Sequence, residues 1–428
     1  MERFLIASAS GRALAQSARK AGYSVDVFDH FGDWDLQQSV NESAGSVPIN
    51  GSVFSSRDFN DLFRLVDLST YRAAIIGGGL ESKIELVNRL EQCIPILGCH
   101  SYQLERLASF ACLEVIPELV ENSGARWPVT RTSVPNESRT FLWLMKDLRG
   151  SGGSHVRRWQ AKGLGNERSI ARENLVYQQC IDGMSISALF VRRGRLHNGD
   201  PIPGSSNEQA ISDCQLVGCS QQLVGEPSFG ALPYAYCGSI APLVIPEGQR
   251  KIIERLGASI SAEFEIDGVF GIDLIVNKEG VWLIDINPRI PASAELYELL
   301  ASEDRQDSFS VFKAHLQACY QQNGTIRPAT PVDGRWVAKG ILFCKIETGM
   351  IVTEAVFGQL KQLSYEDLSS THRKIADVPM IGTSIAKGEP ILSLFVQAES
   401  IQGAHRLLLL FAEQLNGLLT NRYSQKKD

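Results

Sequence analysis

Short apolar runs and longer amphipathic stretches alternate over the first quarter of the chain. Phe4-Leu5-Ile6-Ala7, the run from Tyr23 to Phe28, Ala73 to Ile76 and Pro95 to Leu97 read as strands. Gly11 to Ala21 and Lys83 to about Gln92 read as helices. Strands separated by helices predict an open α/β unit with a parallel sheet over roughly residues 3 to 100. Ser101 to Val129 is helical in pattern and ends at Trp127-Pro128. Short apolar strands then take over at Phe141 to Lys146, Leu175 to Ile181, Gly271 to Val276 and Val281 to Ile284. Between the last pairs lies a helix, Glu247 to Phe264, with Ile252, Ile253, Leu256 and Ile260 on one core-facing stripe. After Asp304 the chain turns polar, is helical around Val311 to Gln321, and becomes Pro-rich at Arg327 to Pro331, where we place a boundary. Strands at Trp336 to Lys345, Met350 to Val356 and Ile391 to Val396 follow, then an apolar-striped helix from Gly403 to Leu419. The expected class is α/β with α+β character, in units 1–100, 101–325 and 326–428. A chain of 428 residues fits three domains of roughly 150 residues each.

Composition narrows the function classes. A net charge of -6 leaves no basic footprint, so nucleic acid is not an expected partner. The nine cysteines stand singly with no C-x-x-C pair, which argues for thiols in a reducing compartment rather than disulfides or zinc. No apolar window approaches the ~18 residues of a membrane span, and Phe4 to Ala7 is too short for a signal peptide. A cytoplasmic location without a membrane partner is expected.

The densest chemistry lies between Gly271 and Glu295. Asp273 sits in an apolar strand; a turn at Asn277 to Gly280 leads to a second strand that runs into Asp285-Ile286-Asn287-Pro288-Arg289. Strand alternation puts Asp285 and Asn287 on one face, and in a hairpin Asp273 reaches it too. Two carboxylates and an amide oxygen form a hard-oxygen set suited to Mg²⁺. Arg289 beyond them suits bidentate contact with phosphate or carboxylate. The plainer reading is a turn before proline.

Lys146 ends a strand and precedes Gly150-Ser151-Gly152-Gly153. A lysine brings a point charge to phosphate, and glycines let backbone N–H groups approach its oxygens. It is not a P-loop, because no G-K-[ST] opens a helix. Leu175 to Ser187 reads strand, Gln178-Gln179-Cys180-Ile181, turn at Asp182-Gly183, strand; such an edge can face an adenine ring or be plain sheet. Leu216 to Cys219 and Gln222 to Val224 are read as ordinary sheet before an acceptor-pocket wall, and His197 as a turn residue before a base. Ala9-Ser10-Gly11 lacks the spaced glycines of a dinucleotide turn, and Gly77 to Gly79 is better read as a tight loop over a strand end, near substrate.

Taken together, strand-end lysine with glycine loop, Q-Q-x-I-D-G, G-I-D-L and L-I-D-I-N-P-R resemble the motif series of ATP-grasp enzymes across roughly residues 95 to 295. The chain further resembles predicted ATP-dependent carboligases related to biotin carboxylase, with Tyr236 to Pro242 and Ala376 to Thr383 in support. The resemblance implies an N-terminal pre-ATP-grasp domain and an ATP-grasp domain whose part 101–185 covers the nucleotide and part 186–325 binds metal. A small β-rich C-terminal domain would follow. It implies Lys146 on the ATP phosphates, Gly150, Ser151, Gly152 and Gly153 as the flap, and Gln178, Gln179, Cys180 and Ile181 as the adenine hinge. It also implies Asp273, Asp285 and Asn287 on Mg²⁺ or Mn²⁺, with Arg289 on the transferred phosphoryl. The implied activity joins a small-molecule carboxylate to an amine through an acyl phosphate. Some relatives accompany one-carbon carriers of the tetrahydromethanopterin and methanofuran type, and a homodimer is the expectation by analogy.

Two departures bear on this. Between Gly98 and Arg131 there is no lysine where many members carry one, and Arg106 is the nearest basic substitute. Ile290-Pro291-Ala292-Ser293-Ala294-Glu295 follows Arg289, so the glutamate that serves bicarbonate in biotin carboxylases is displaced. A bicarbonate-activating carboxylase and a non-catalytic nucleotide module remain the alternatives. His372, Lys374 and Asp377 are read as solvated surface rather than substrate-selecting groups, and Gln425 to Asp428 as a frayed tail.

Overall fold

The computed structural model describes residues 2–41, 48–50, 56–135, 142–159, 174–194, 213–301, 309–321, 334–366 and 368–424. The turn at His197, the boundary at 325–326 and the tail from Gln425 fall outside them.

The first sheet is built from β1 (Arg3–Ser8), β2 (Ser24–Asp29), β3 (Pro48–Asn50), β4 (Ala73–Ile76) and β5 (Ile96–Leu97), all parallel, in the order β3-β2-β1-β4-β5. Its strands are apolar at nearly every position because both faces are covered. Phe4, Ile6, Val25, Val27 and Ile75 enter one core, while Leu5, Ala7, Phe28, Ala74 and Ile76 enter another. The first core also takes in the helices Ala294–Leu300 and Val311–Cys319, and Phe4 meets Phe312 edge to face at 5.8 Å. That packing sets this sheet against the middle of the chain.

Two helices, Ser101–Leu107 and Cys112–Ser123, lead into a second sheet. It consists of β6 (Thr130–Arg131), β7 (Trp143–Asp147), β8 (Arg157–Arg158) and β9 (Leu175–Gln179), in the order β6-β9-β7-β8. The third sheet opens with β10 (Met184–Arg192), β11 (Cys214–Val224), β12 (Tyr236–Ala241), β13 (Gly268–Asn277) and β14 (Gly280–Asn287). The C-terminal part adds β15 (Trp336–Phe343), β16 (Met350–Ile351), β17 (Arg373–Ala376), β18 (Ser384–Ile385) and β19 (Pro390–Ala398). The large sheet runs β14-β13-β10-β11-β12-β15-β19-β17, so pairing of β12 with β15 carries it unbroken into the C-terminal part.

One expected strand, Met350 to Val356, is cut short and runs into a helix. Only Met350–Ile351 pairs, with β18, and Glu354–Ser364 is helical. The Thr353 hydroxyl accepts the Val356 N–H at 3.3 Å, and Glu354 opens the first turn, so an N-cap overrode the β-branched run. The closing helix is longer than its stripe suggested, Ile401–Ser424. Among the described residues no helix is long and apolar enough to cross a membrane.

Candidate functional site

The β13–β14 hairpin turns where Asn277 Oδ1 accepts the Glu279 N–H at 2.9 Å and Gly280 takes φ 137°, a conformation glycine tolerates. Its register sets Asp273 opposite Asp285 and Gly271 opposite Asn287, with a shift between Asp273 and Leu274. The three expected oxygen-bearing side chains are therefore together. Asn287 Nδ2 donates to Asp273 Oδ2 at 2.9 Å, and Gln222 Nε2, from β11, donates to Asp273 Oδ1 at 2.8 Å. Burial, then the neighbouring Asp285 charge, raise the Asp273 carboxyl to about 6. Two carboxylates forced to face each other in this way call for a positive counter-charge.

Lys146 supplies part of it. It projects from β7, in the second sheet, across to the third. Its Nζ donates to Asp285 Oδ1 at 2.9 Å and to the Ile284 carbonyl at 3.1 Å. Between the sheets opens a cleft of about 830 Å³ including its mouth. Leu104, Leu107, Ile116, Trp127 and Val176 make it apolar on one side; Lys146, Arg149, Asp285, Asn287 and Glu81 make it polar on the other.

Of the expected flap, Gly150 and Ser151 line the cleft, while Gly152 and Gly153 fasten the loop down. The Gly152 carbonyl accepts the Tyr236 N–H at 2.9 Å. Gly153 has φ 77°, and a Cβ there would lie 2.0 Å from the Tyr234 carbonyl oxygen. Of the expected hinge, Gln178 lines the cleft, buried, with its Nε2 donating to Thr130 Oγ1 at 3.2 Å. Gln179, Cys180 and Ile181 are not in the cleft wall. The Gln179 N–H donates to the Val129 carbonyl and the Cys180 N–H to the Leu142 carbonyl, both at 2.8 Å.

Arg289 lies beside the cleft rather than in its wall. Its Nε and Nη2 donate to Glu81 Oε1 at 2.9 and 2.7 Å, and its guanidinium rests over Gly78. The triple-glycine loop after β4 thus brings a carboxylate to the site; Gly77 to Gly79 was the only signal for it in the sequence. Arg106 does not replace the missing lysine. It pairs with Glu263, donates to the Glu263 carbonyl at 2.7 Å and lies over the Phe264 ring, turned to the helix Glu247–Glu263.

A second charged group escaped the sequence reading. Arg12 is buried at 2% exposure and holds Glu295 Oε1 at 2.5 Å and Asp377 Oδ1 at 2.7 Å, with Asp35 at 3.5 Å. Lys339 Nζ holds Glu295 Oε2 at 2.7 Å. Asp377 is therefore no surface residue. Its partner Arg12 is 365 positions away, a separation no local pattern reveals. His372 is exposed and Lys374 half-buried.

A nucleotide with a divalent cation suits these donors. The set is two carboxylates and an amide; among the described residues no three His, Cys, Asp or Glu side chains group to hold an ion by themselves. The facing pair Asp273 and Asp285, the Lys146 charge and glycines at the cleft wall are what a metal-bound polyphosphate would use.

Residues 115–293, which hold the second sheet, β10 to β14 of the third and most of the cleft between them, match the family model described as ATP-grasp domain. Solved structures share the fold along nearly the whole chain. N5-carboxyaminoimidazole ribonucleotide synthetase from Thermotoga maritima superposes with a TM-score of 0.60 at 14% identity, covering 97% of this chain and 98% of that one. An L-amino acid ligase from Bacillus licheniformis gives 0.62 at 14% identity, covering 97% of each chain. Biotin carboxylase from Campylobacter jejuni gives 0.62 at 12%, covering 93% and 87%. An uncharacterized protein of Methanocaldococcus jannaschii is 26% identical over 289 residues, 65% of this chain and 58% of the relative. The match thus spans less than two thirds of that curated relative.

Proposed function

We propose that this protein is an ATP-dependent ligase that activates a substrate carboxylate as an acyl phosphate and joins it to an amine. The observation that carries the reading is the meeting of Lys146 and Asp285 at 2.9 Å in the cleft, with Asp273 opposite Asp285 and Asn287 two residues further along the same strand. Lys146 and the loop Gly150 to Gly153 would bind the phosphates, with the base toward Gln178 and the apolar wall. Asp273, Asp285 and Asn287 would hold Mg²⁺ or Mn²⁺, which when bound neutralises phosphate charge. The substrate carboxylate oxygen attacks the γ-phosphorus, the bond to the β-phosphate oxygen breaks, and ADP leaves. The amine nitrogen then attacks the acyl carbon, phosphate leaves, and the amine gives up a proton. Positioning and charge neutralisation carry most of such a reaction, and Arg289, once drawn from Glu81, would stabilise the transferred group. The loop fastened at Gly152 and Gly153 excludes water from the intermediate.

A carboxylase reading has its own support, since N5-carboxyaminoimidazole ribonucleotide synthetase and biotin carboxylase share the fold. Against it, Glu295 is clamped between Arg12 and Lys339 and its carboxyl is held low, so it is a poor base for bicarbonate. The resemblance to carboligases makes acids and amines of one-carbon carrier synthesis the first substrates to try, and a homodimer the assembly to look for. Hydroxylamine trapping with Mg·ATP and pools of amino, dicarboxylic and pterin- or furan-type acids tests the reading. A hydroxamate identifies the acid. ADP formed only with bicarbonate, and no hydroxamate, overturns the ligase in favour of the carboxylase. ADP release unchanged in Asp285→Ala removes the metal role.

A further inference from the structure

His155 sits five residues beyond Gly150, where the glycine loop starts. Both of its ring nitrogens are shut off from solvent and neither has a hydrogen-bond partner. The ring lies directly on the loop backbone: a Cβ on Gly150 would come within 2.1 Å of its Cγ. So Gly150 is a glycine because the imidazole occupies the space of a side chain. The Ser151 carbonyl is near enough to favour the protonated ring, but no hydrogen bond forms. Burial, and then the charge of Lys146, keep the ring in its neutral form, while Asp285 acts the other way.

Dry, unpartnered imidazole nitrogens call for an explanation, because buried polar atoms are nearly always paired. A residue that only filled space behind Gly150 would do so better without nitrogens. The ring backs onto Gly150, which lines the cleft, and is close enough to Lys146 and Asp285 to feel both charges. Gly152 and Gly153 are fastened to the segment Tyr234–Tyr236, so the loop is already seated over the cleft. What is missing from this arrangement is an acceptor for the ring N–H.

We propose that His155 is a phosphate-contact residue, donating its N–H to an oxygen of the nucleotide phosphates held between the glycine loop and Lys146. It gives this chain a further side-chain donor beside Lys146, where Arg106 is turned away. The assignment rests on the nucleotide reading of the cleft.

The test is calorimetric titration of the full chain with ATP, ADP and adenosine, for wild type and for H155F, H155M and H155N. Two apolar variants are used so that misfolding of one, read by circular dichroism, leaves the other. Loss of a hydrogen bond to a charged group weakens ATP and ADP about tenfold or more. Adenosine binding stays unchanged, and H155N, which keeps an N–H donor, recovers part of the loss. Equal ATP and ADP binding in wild type and the apolar variants overturns the proposal. So does an equal loss for adenosine, which would mean packing alone. Wild type that binds neither ATP nor ADP overturns the nucleotide reading itself, an outcome separate from the others.

Discussion

Replacing Arg12 with methionine tests how the three parts of the chain are held around the cleft. Arg12 starts the first helix, Glu295 follows the β13–β14 hairpin, and Asp377 follows β17 in the C-terminal part. Its guanidinium reaches both Glu295 oxygens, at 2.5 and 3.1 Å, and both Asp377 oxygens, at 2.7 and 3.3 Å. Removing one partner of a buried pair costs about 3–5 kcal/mol, because it strands the opposite charge. Here three carboxylates lose a partner, but Lys339 still holds Glu295 and the Asp377 and Val378 N–H groups still donate to Asp35, so about 4 kcal/mol is expected at pH 7. The sign with pH follows from Asp377. Burial pushes its carboxyl up, but Arg12 and then Lys339 more than reverse this and hold it well below the usual range. A lowered folded pKa contributes stability above the unfolded value of about 3.9, lost as pH falls through the folded one. In the variant this contribution is absent, so the gap is widest near neutral pH and narrows as the stranded carboxylates protonate. Urea midpoints followed by tryptophan fluorescence at pH 7, 5.5 and 4 measure it. A gap under about 1 kcal/mol at pH 7, or one that does not shrink toward pH 4, refutes the reasoning, since surface pairs give that little.

Two more substitutions separate local effects from charge. Gly153→Ala drives a Cβ to 2.0 Å from the Tyr234 carbonyl and keeps φ at 77°, whereas Gly152→Ala, at φ 67°, meets nothing within 4 Å. Gly153→Ala should therefore free the loop, seen as faster proteolytic cutting there, with Gly152→Ala costing only the ~1 kcal/mol of a left-handed alanine; equal cutting in both would remove the docking role. Glu298 accepts the Ser17 hydroxyl and the Val311 N–H, and burial raises its carboxyl to about 7. A raised acid destabilises the fold as pH climbs from about 4.3 to 7, so Glu298→Gln should gain about 3–4 kcal/mol at pH 8 and almost nothing at pH 4.5. A gain of the same size at both pH values would show that the charge is not the cause.

The residues of the candidate site were legible where the chemistry was local. Asp273, Asp285 and Asn287 stand on one hairpin whose alternation and turn residues could be read directly, and Lys146 ends a strand with its glycine loop adjacent. The parallel sheet was legible for the same reason, since burial on both faces leaves unbroken apolar runs. What could not be read is what the chain brings from afar. Glu81 reaches Arg289 across 208 positions and Arg12 reaches Asp377 across 365, and neither leaves a periodic trace. Arg106 illustrates the converse: its place in the sequence suited a phosphate contact, but the Glu263 carboxylate and the Phe264 ring lie nearer its side chain. Propensity failed at residues 354–356, where Thr353 supplied a cap that the apolar pattern had hidden.

Each cation of the site already has an anion. Lys146 is held by Asp285 at 2.9 Å and Arg289 by Glu81 at 2.7 Å, while Asp273 is satisfied by Asn287 and Gln222. A polyphosphate arriving alone would take Lys146 from Asp285 and leave Asp285 facing Asp273 with no counter-charge between them. Nucleotide and divalent cation should therefore bind together, the cation taking the carboxylates as the phosphates take the lysine. Asp285→Asn separates the two contributions. It frees Lys146 without stranding a carboxylate, so metal-free ATP should bind the variant more tightly than wild type, by about fivefold or more for an ion-pair contribution near 1 kcal/mol. Adding Mg²⁺ should strengthen ATP binding strongly in wild type and little in the variant. Titration of both proteins in chelator and in Mg²⁺ reads the four constants. If the variant loses affinity for metal-free ATP, Asp285 does not compete with phosphate for Lys146, and the resting ion pair has been misread.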